Sequence, residues 1–177
     1  IAFPTRPTRP RRSPAGKVRF DLCYRNPGRH ATAVFRKEAY LKVGGYRPEE
    51  KWAEDFSLFG RLASIGEVEL LLETVVLRRR HPGQATEIGH ERMRIANRAA
   101  SQRSLRMLLD LGEADALRAA NILHRVPGFG FREWLWFLAK CAPRCRPFGA
   151  ALLAELTAQT WSRFPLRKPP ARHLRRR

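Results

Sequence analysis

Residues 53–63 read AEDFSLFGRLA, and this stretch decides what the rest of the chain is expected to be. Apolar side chains recur at the spacing of a helix within and just after this stretch, at Leu58, Phe59, Leu62 and Ile65. Glu54 and Asp55 stand at the start of that predicted helix, where acids cap free N–H groups and suit the helix dipole. The functional alternative is that one of these carboxylates faces a cleft as a general base. The spacing alone leaves both alternatives open.

The segments around this helix give a mixed pattern of predicted elements. A short helix is predicted over 37–43, with Gly44 and Gly45 as its C-cap. Runs rich in β-branched and aromatic residues predict strands over 30–36, 68–72 and 74–78. Further helices are predicted over 87–111, 113–125, 131–140 and 148–164. The aromatic segment 131–140 has basic residues on both sides, which suits a membrane interface. The alternative is a core helix or a dimer contact.

The charge of the chain lies outside the region around residue 55. Lys and Arg number 35 against 16 Asp and Glu, which gives a formal net charge of +19. Residues 31–87 hold nine basic and nine acidic side chains, so the excess flanks this region. An anionic membrane surface is therefore the expected polyanionic partner, and nucleic acid is not.

Cysteine usage and hydropathy bear on location. The odd count of three cysteines predicts no disulfide framework, and Cys141 and Cys145 lack a second pair at zinc spacing. We find no signal peptide, and no uncharged apolar run reaches the roughly 18–20 residues of a spanning helix. A cytoplasmic location follows as the expectation, with peripheral attachment to the inner membrane face as the further option.

Four segments in order resemble motifs of family 2 glycosyltransferases. Residues 25–36, RNPGRHATAVFR, resemble NP-x-x-H-x-T-x-x-x-R, and residues 43–46 repeat the family's VGGY. Residues 53–63 resemble A-E-D-Y-D-L-W-x-R-L-A, and residues 80–86, RHPGQAT, resemble the closing R-x-H-P-G-Q-x-S loop. The four segments span roughly a third of the chain.

The resemblance implies an α/β fold, the C-terminal half of a GT-A domain of nucleotide-diphospho-sugar transferases. Residues 25–86 would form this acceptor and catalytic-base half. A basic, Pro-rich lead-in over 1–24 would be the remnant of an upstream part. A helical C-terminal region over 87–166, a candidate for membrane association, and a disordered basic tail over 167–177 would follow.

The same resemblance assigns site residues. Asp55 would be the catalytic base of inverting transfer, and Glu54 would hold the acceptor. His30 and Trp52 are acceptor-binding candidates, although His30 also suits a structural hydrogen bond and Trp52 a core position. Ser57 replaces the family's second acid. The loop over the donor diphosphate would be formed by Arg80, His81 and Gln84.

The implied reaction moves a sugar from a nucleotide-sugar donor to a hydroxyl of a glycan or lipid-linked acceptor, in cell-envelope or polysaccharide biosynthesis. A divalent cation, Mg²⁺ or Mn²⁺, is expected from the family, but the chain contains no Asp-x-Asp metal motif. The resemblance therefore implies truncation at the N-terminus, with the donor-binding half upstream. The alternatives are a non-catalytic basic module that binds nucleic acid or anionic lipid, and an inactive remnant.

Overall fold

The computed structural model describes residue 13 and residues 16–76, 89–128 and 130–145. Two short 3₁₀ helices occur in this part of the chain, at His30–Thr32 and Pro48–Glu50. The α-helices of the described residues are α1 Lys17–Asp21, α2 Lys37–Lys42, α3 Glu54–Ile65, α4 His90–Leu109, α5 Glu113–Leu123 and α6 Phe131–Cys145.

The predicted α/β fold is wrong for the described part of the chain. Helices make up 64% of it, and it contains no strand and no sheet. A GT-A-like half-domain requires a sheet, so this architecture is withdrawn. The described residues instead form a helical fold.

The segment 30–36 shows why the first predicted strand fails. It begins as the 3₁₀ helix His30–Thr32 and continues as an extended chain that pairs with no strand of the described residues. Val34 is 97% exposed and Phe35 is 37% exposed. β-Propensity measures how well a side chain packs on a pleated, half-buried surface, and these residues have no such surface beneath them.

The β-rich run after α3 behaves in the same way. The structure describes it as far as residue 76, and Leu72 and Val75 are 50% and 60% exposed. The Ser13 N–H donates to the Leu70 carbonyl at 2.9 Å, and Leu71 forms an isolated bridge. An isolated bridge does not make a ladder, so the run stays extended without becoming a strand.

Four of the predicted helices after residue 36 are confirmed. The helix predicted over 37–43 is α2, and the left-handed Gly44 and Gly45 follow it as expected. The predictions over 87–111, 113–125 and 131–140 correspond to α4, α5 and α6, within a few residues at most ends. The predicted helix 148–164 and the tail 167–177 lie outside the described residues, as does most of the lead-in.

One hydrophobic core joins the helices from both halves of the chain. α3 packs against α4, α4 packs against α5, and α6 contacts both α4 and α5. The Ser101 hydroxyl of α4 donates to the Cys23 carbonyl just after α1 at 2.6 Å, which ties the N-terminal helix to this core. The largest fully buried apolar side chains of the core are Phe20, Leu22, Phe56, Leu58, Leu105 and Phe137.

The packing of α3 on α4 explains a glycine that is unfavourable for a helix. Gly60 lies in the middle of α3 and weakens it by about 1 kcal/mol relative to Ala. A Cβ at this position would lie 2.4 Å from the Ser104 Oγ and 3.6 Å from its Cβ. The hydroxyl therefore excludes a methyl group, and the close approach of the two helices requires glycine.

We expect Gly60→Ala to destabilise the fold by about 1–3 kcal/mol, because the new methyl overpacks the contact with Ser104. Ser104→Ala removes the obstructing oxygen, whose hydroxyl has no partner in the described structure. In that background Gly60→Ala should become neutral or stabilising by up to about 1 kcal/mol. Urea unfolding of the parent, the two single variants and the double variant measures this change of sign.

Gly66→Ala is the matched control, because a Cβ at Gly66 meets no atom within 4 Å. It should leave the unfolding free energy within about 0.5 kcal/mol of the parent. Equal effects of Gly60→Ala in the presence and absence of the Ser104 hydroxyl would contradict the steric explanation.

The three cysteines come together in the core, although residue 23 is far from the other two in sequence. Cys23, Cys141 and Cys145 are free thiols and all are buried. Burial raises the pKa of Cys141 to about 12 and that of Cys145 to about 11. The pKa of Cys23 is also raised, by burial first and then by the neighbouring cysteines. Thiolates are therefore disfavoured in the folded state.

We expect these thiols to resist iodoacetamide at pH 8 in the folded protein and to react in urea.

The raised pKa values also make the free energy of unfolding fall with pH, because above about 9 the unfolded chain releases thiol protons that the folded chain retains. This loss should grow through the window up to about 11–12. Alkylation followed by mass spectrometry, and urea midpoints between pH 8 and 11, test both. Equal alkylation with and without urea would refute the burial.

Candidate functional site

The carboxylate of Asp55 is held at both of its oxygens. Oδ1 accepts a 2.7 Å hydrogen bond from the Phe56 N–H, which is one of the free donors at the start of α3. Oδ2 accepts a 2.9 Å hydrogen bond from Nδ2 of Asn26, 29 residues earlier in the chain. One oxygen therefore serves the helix end, as the capping alternative predicts, and the other binds a side chain from a distant loop. The general-base alternative stays a prediction.

The amide of Asn26 is itself fixed in orientation. Its Oδ1 accepts from the Gly28 N–H at 3.1 Å, a local turn that occupies the acceptor side of the amide. The amino group of Asn26 is therefore left to donate to Asp55. This contact therefore fixes the orientation of the Asp55 carboxylate.

Glu54 lies beside Asp55 in the first turn of α3. Its Oε2 is buried and has no hydrogen-bond partner among the described residues. A buried carboxylate oxygen without a partner costs free energy, and such atoms call for an explanation such as a water or a ligand. Oε2 of Glu54 can therefore accept a hydrogen bond from a ligand. The role of Glu54 in binding the sugar acceptor stays a prediction.

His30 and Tyr46 form a second pair near these acids. The Tyr46 hydroxyl and His30 Nε2 are 2.8 Å apart, and the tautomer of the imidazole decides which donates. The pKa of Tyr46 is raised, by burial first and then by the charge of Asp55, with a smaller effect of Glu54. The structure thus brings His30, Tyr46, Glu54 and Asp55 into one electrostatic neighbourhood.

The glycine turn after α2 makes this neighbourhood possible. Gly44 and Gly45 have φ values of 78° and 57°, in the left-handed region that favours glycine. A Cβ on Gly45 would also lie 2.7 Å from the Tyr40 ring. The turn lets the chain reverse under that ring, and the Tyr46 N–H then donates to the Tyr40 hydroxyl at 3.2 Å.

A buried ion pair fixes the loop between this turn and α3. Glu50 is 3% exposed and Arg61 of α3 is 7% exposed, and the Arg61 guanidinium donates to the Glu50 carboxylate and to the Gly45 carbonyl. Arg103 of α4 adds a second cation, with its Nε 3.7 Å from Glu50 Oε1. Arg61 thereby sets the position of the loop that carries Tyr46.

Ser57 departs from the family pattern, which has a second acid at this position. The Arg103 Nη2 donates to the Ser57 hydroxyl at 2.9 Å. A neutral acceptor therefore meets the guanidinium at this place. The contact is structural and leaves Glu54 and Asp55 as the acids of the first turn.

Trp52 packs against the start of α4. It has φ 76°, which is unusual for a residue with a side chain, and its ring would lie 2.4 Å from a Cβ on Gly89. Lys51 Nζ and the Arg92 guanidinium lie 5.9 and 6.0 Å from the ring centroid. These contacts give Trp52 a packing role, and its acceptor-binding role stays a prediction.

Three predicted site residues lie outside the described residues, namely Arg80, His81 and Gln84. The described residues also offer no candidate ligands for the divalent ion that the resemblance implies. No group of three or more His, Cys, Asp or Glu side chains in residues 13, 16–76, 89–128 and 130–145 is arranged to hold a metal.

The sequence did not assign roles to the residues that hold the site together. Asn26, Tyr46 and Arg61 stand inside the quoted motifs, but the spacing of a motif does not say which side chains meet. The Asn-Pro-Gly turn at 26–28 was a usable signal, because Asn in a turn accepts from the chain two residues later and leaves its amino group to donate. The pairing with Asp55 had no signal of its own.

The aromatic helix α6 is partly engaged with the rest of the fold. The Arg118 guanidinium lies 4.2 Å from the centroid of the Trp136 ring, and it also donates to Glu133. Phe131 and Leu135 are 52% and 47% exposed. In the described part of the chain, no helix combines the length and the apolar character that crossing a membrane requires. One face of α6 therefore contacts the fold, as the core alternative predicts, and the membrane-interface alternative stays a prediction.

Comparison of the chain with protein-family models, with curated proteins and with solved structures finds no match, so the resemblance to family 2 glycosyltransferases stays a prediction.

Proposed function

We propose that the chain takes part in sugar transfer from a nucleotide-sugar donor to an acceptor hydroxyl, with Asp55 as the general base. The observation that carries the proposal is the 2.9 Å hydrogen bond from Asn26 to Asp55 Oδ2. It joins two segments of the chain that resemble separate motifs of the same enzyme family.

In this reaction Asp55 accepts the proton of the acceptor hydroxyl as the oxygen attacks the anomeric carbon. The bond from that carbon to the donor diphosphate breaks, and its electron pair leaves with the nucleoside diphosphate. One displacement inverts the anomeric configuration. Asn26 is a positioning residue, because it fixes the carboxylate without touching the reacting atoms. A positioned base contributes about 10²–10⁴-fold to such a step.

Glu54 and His30 supply the acceptor-binding part of the proposal. The unpartnered Oε2 of Glu54 accepts a hydrogen bond from a second hydroxyl of the sugar acceptor. This bond offsets the free-energy cost of burying Oε2 without a partner. His30 is exposed, so its ring can reach a glycan, and Tyr46 holds that ring at 2.8 Å. A glycan or a lipid-linked sugar remains the proposed acceptor class, in envelope or polysaccharide biosynthesis.

The net charge and the exposed apolar side chains bear on where in the cell the chain acts. The net charge of +19 and the exposed Phe131 and Leu135 suit an anionic lipid surface, where a lipid-linked acceptor would reside. The cytoplasmic location and the peripheral attachment are parts of this proposal. The rival is a non-catalytic basic module that binds nucleic acid or anionic lipid, which the same net charge favours.

The test incubates the full chain with a panel of nucleotide sugars, hydroxylated acceptors and Mg²⁺ or Mn²⁺, and follows nucleoside diphosphate release. We expect release that depends on the acceptor, and a product whose anomeric carbon is inverted by NMR. The absence of acceptor-dependent release over the whole panel would contradict the proposal. Tight nucleic-acid binding that falls steeply with salt, without turnover, would favour the rival.

A further inference from the structure

We propose that a cavity lined in part by Asn26 is a binding site for a phosphate or diphosphate group. The cavity has a volume of about 420 Å³ and lies between α1 and the extended run after α3. Lys17, Arg25 and Arg29 line it together with Asp21 and Asn26. Leu70 and Leu72 form its apolar wall.

A buried carboxylate arranges two of the cations on one wall. Asp21 is 3% exposed, and its Oδ1 accepts from Lys17 Nζ at 3.3 Å and from the Tyr24 hydroxyl at 3.0 Å. Its Oδ2 accepts from Arg25 Nη2 at 3.0 Å. Asp21 therefore holds the cations in place, and only one negative charge offsets the three positive charges of the lining.

The chemistry of the lining selects the class of ligand. An excess of cations that includes two arginines suits a phosphate, because guanidinium groups bind phosphate oxygens in pairs. The volume falls within the range of about 300–1,000 Å³ of small-molecule sites, so it admits a group larger than a bare ion. The apolar wall at Leu70 and Leu72 suits a phosphate ester that carries an organic part.

This site stands on the cavity and its charges, and it does not depend on sugar transfer at Asp55. Asp55 is not among the residues that line the cavity. Asn26 connects the two places, since it lines the cavity and donates to Asp55. A failure of the transfer assay would leave the anion site in place, and the reverse also holds.

The test measures pyrophosphate binding to the full chain by isothermal titration calorimetry. Arg29→Gln removes a lining cation that makes no ion pair with Asp21, and we expect about tenfold weaker binding. Arg132→Gln is the control, because it removes the same charge from an exposed position on α6. The pyrophosphate affinity of Arg132→Gln should match that of the parent, because Arg132 does not line the cavity. Non-specific attraction to a basic chain would instead weaken equally in both variants.

A second variant keeps the test independent of any one side chain. Arg25→Gln should also weaken pyrophosphate binding about tenfold. Because Arg25 contacts Asp21, circular dichroism of this variant must match that of the parent. Equal affinities of the parent, Arg29→Gln and Arg132→Gln would overturn the proposal, as would the absence of any pyrophosphate binding.

Two further ligands identify the source of the phosphate. Glucose 1-phosphate represents a phosphorylated sugar, and UDP represents a nucleotide. If Arg29→Gln weakens glucose 1-phosphate binding and UDP binds no tighter than pyrophosphate, the site serves a phosphorylated sugar. If UDP binds at least tenfold tighter than pyrophosphate and Arg29→Gln weakens it, the site serves a nucleotide. Either result supports a phosphate site.

Discussion

Arg61→Met should lower the free energy of unfolding by about 3–5 kcal/mol, the largest stability effect expected in the described part of the chain. The substitution leaves the Glu50 carboxylate buried at 3% exposure without its closest cation. It also removes the donor to the Gly45 carbonyl. Arg103 lies 3.7 Å from Glu50 and offsets part of the loss, which places the effect at the lower end of this range. Urea unfolding followed by circular dichroism measures it.

The control for this prediction is Arg94→Met. Arg94 donates two hydrogen bonds to Glu91 at 2.8 and 2.6 Å, but this pair lies on the exposed surface of α4. Surface pairs contribute little because water solvates both partners when the contact is lost. An unfolding midpoint that shifts no more for Arg61→Met than for Arg94→Met would contradict the role of the buried pair.

The helices could be predicted because their signals are local. Apolar spacing identifies α3, α4 and α5 within a few residues, and the glycines at 44 and 45 end α2 as predicted. The strands could not be predicted reliably, because a strand exists only with a partner. Val34 and Val75 have suitable side chains for a sheet, but the described residues offer them no neighbouring strand.

The candidate site was predictable in its residue types and not in its contacts. Asp55 and Glu54 stood out as adjacent acids, and their place in the first turn of α3 follows from the sequence. The contact of Asn26 with Asp55 joins residues 29 positions apart, and it depends on how α1 and α3 pack on α4. Gly60 was interpreted as a weakness of α3, because its neighbour Ser104 comes from another helix.

Asp55→Asn should reduce the rate of sugar transfer about 10²–10⁴-fold, because an amide does not accept the proton of the attacking hydroxyl. The fold should survive, since the Asn carbonyl can still accept one of the two hydrogen bonds that Asp55 accepts from Asn26 and Phe56. Nucleotide affinity should stay close to that of the parent. Steady-state kcat and calorimetric nucleotide binding separate the two effects.

Asn26→Ala tests the positioning of this carboxylate by the separation of kcat from KM. Loss of the donated hydrogen bond leaves Oδ2 of Asp55 without its side-chain donor, so the carboxylate is no longer held in one orientation. We expect kcat to fall, by less than in Asp55→Asn, with the KM for the sugar acceptor close to that of the parent. An unchanged kcat would remove Asn26 from the positioning role.

The most direct test compares kcat of Asp55→Asn with kcat of Asp110→Asn in one transfer assay with a saturating donor. Asp110 undergoes the same chemical change at an exposed position with φ 50°, a backbone conformation that Asn tolerates. We predict that Asp110→Asn transfers sugar at the parent rate, whereas Asp55→Asn is slower by at least about 100-fold. Equal rates for the two variants would show that the Asp55 carboxylate is not the base.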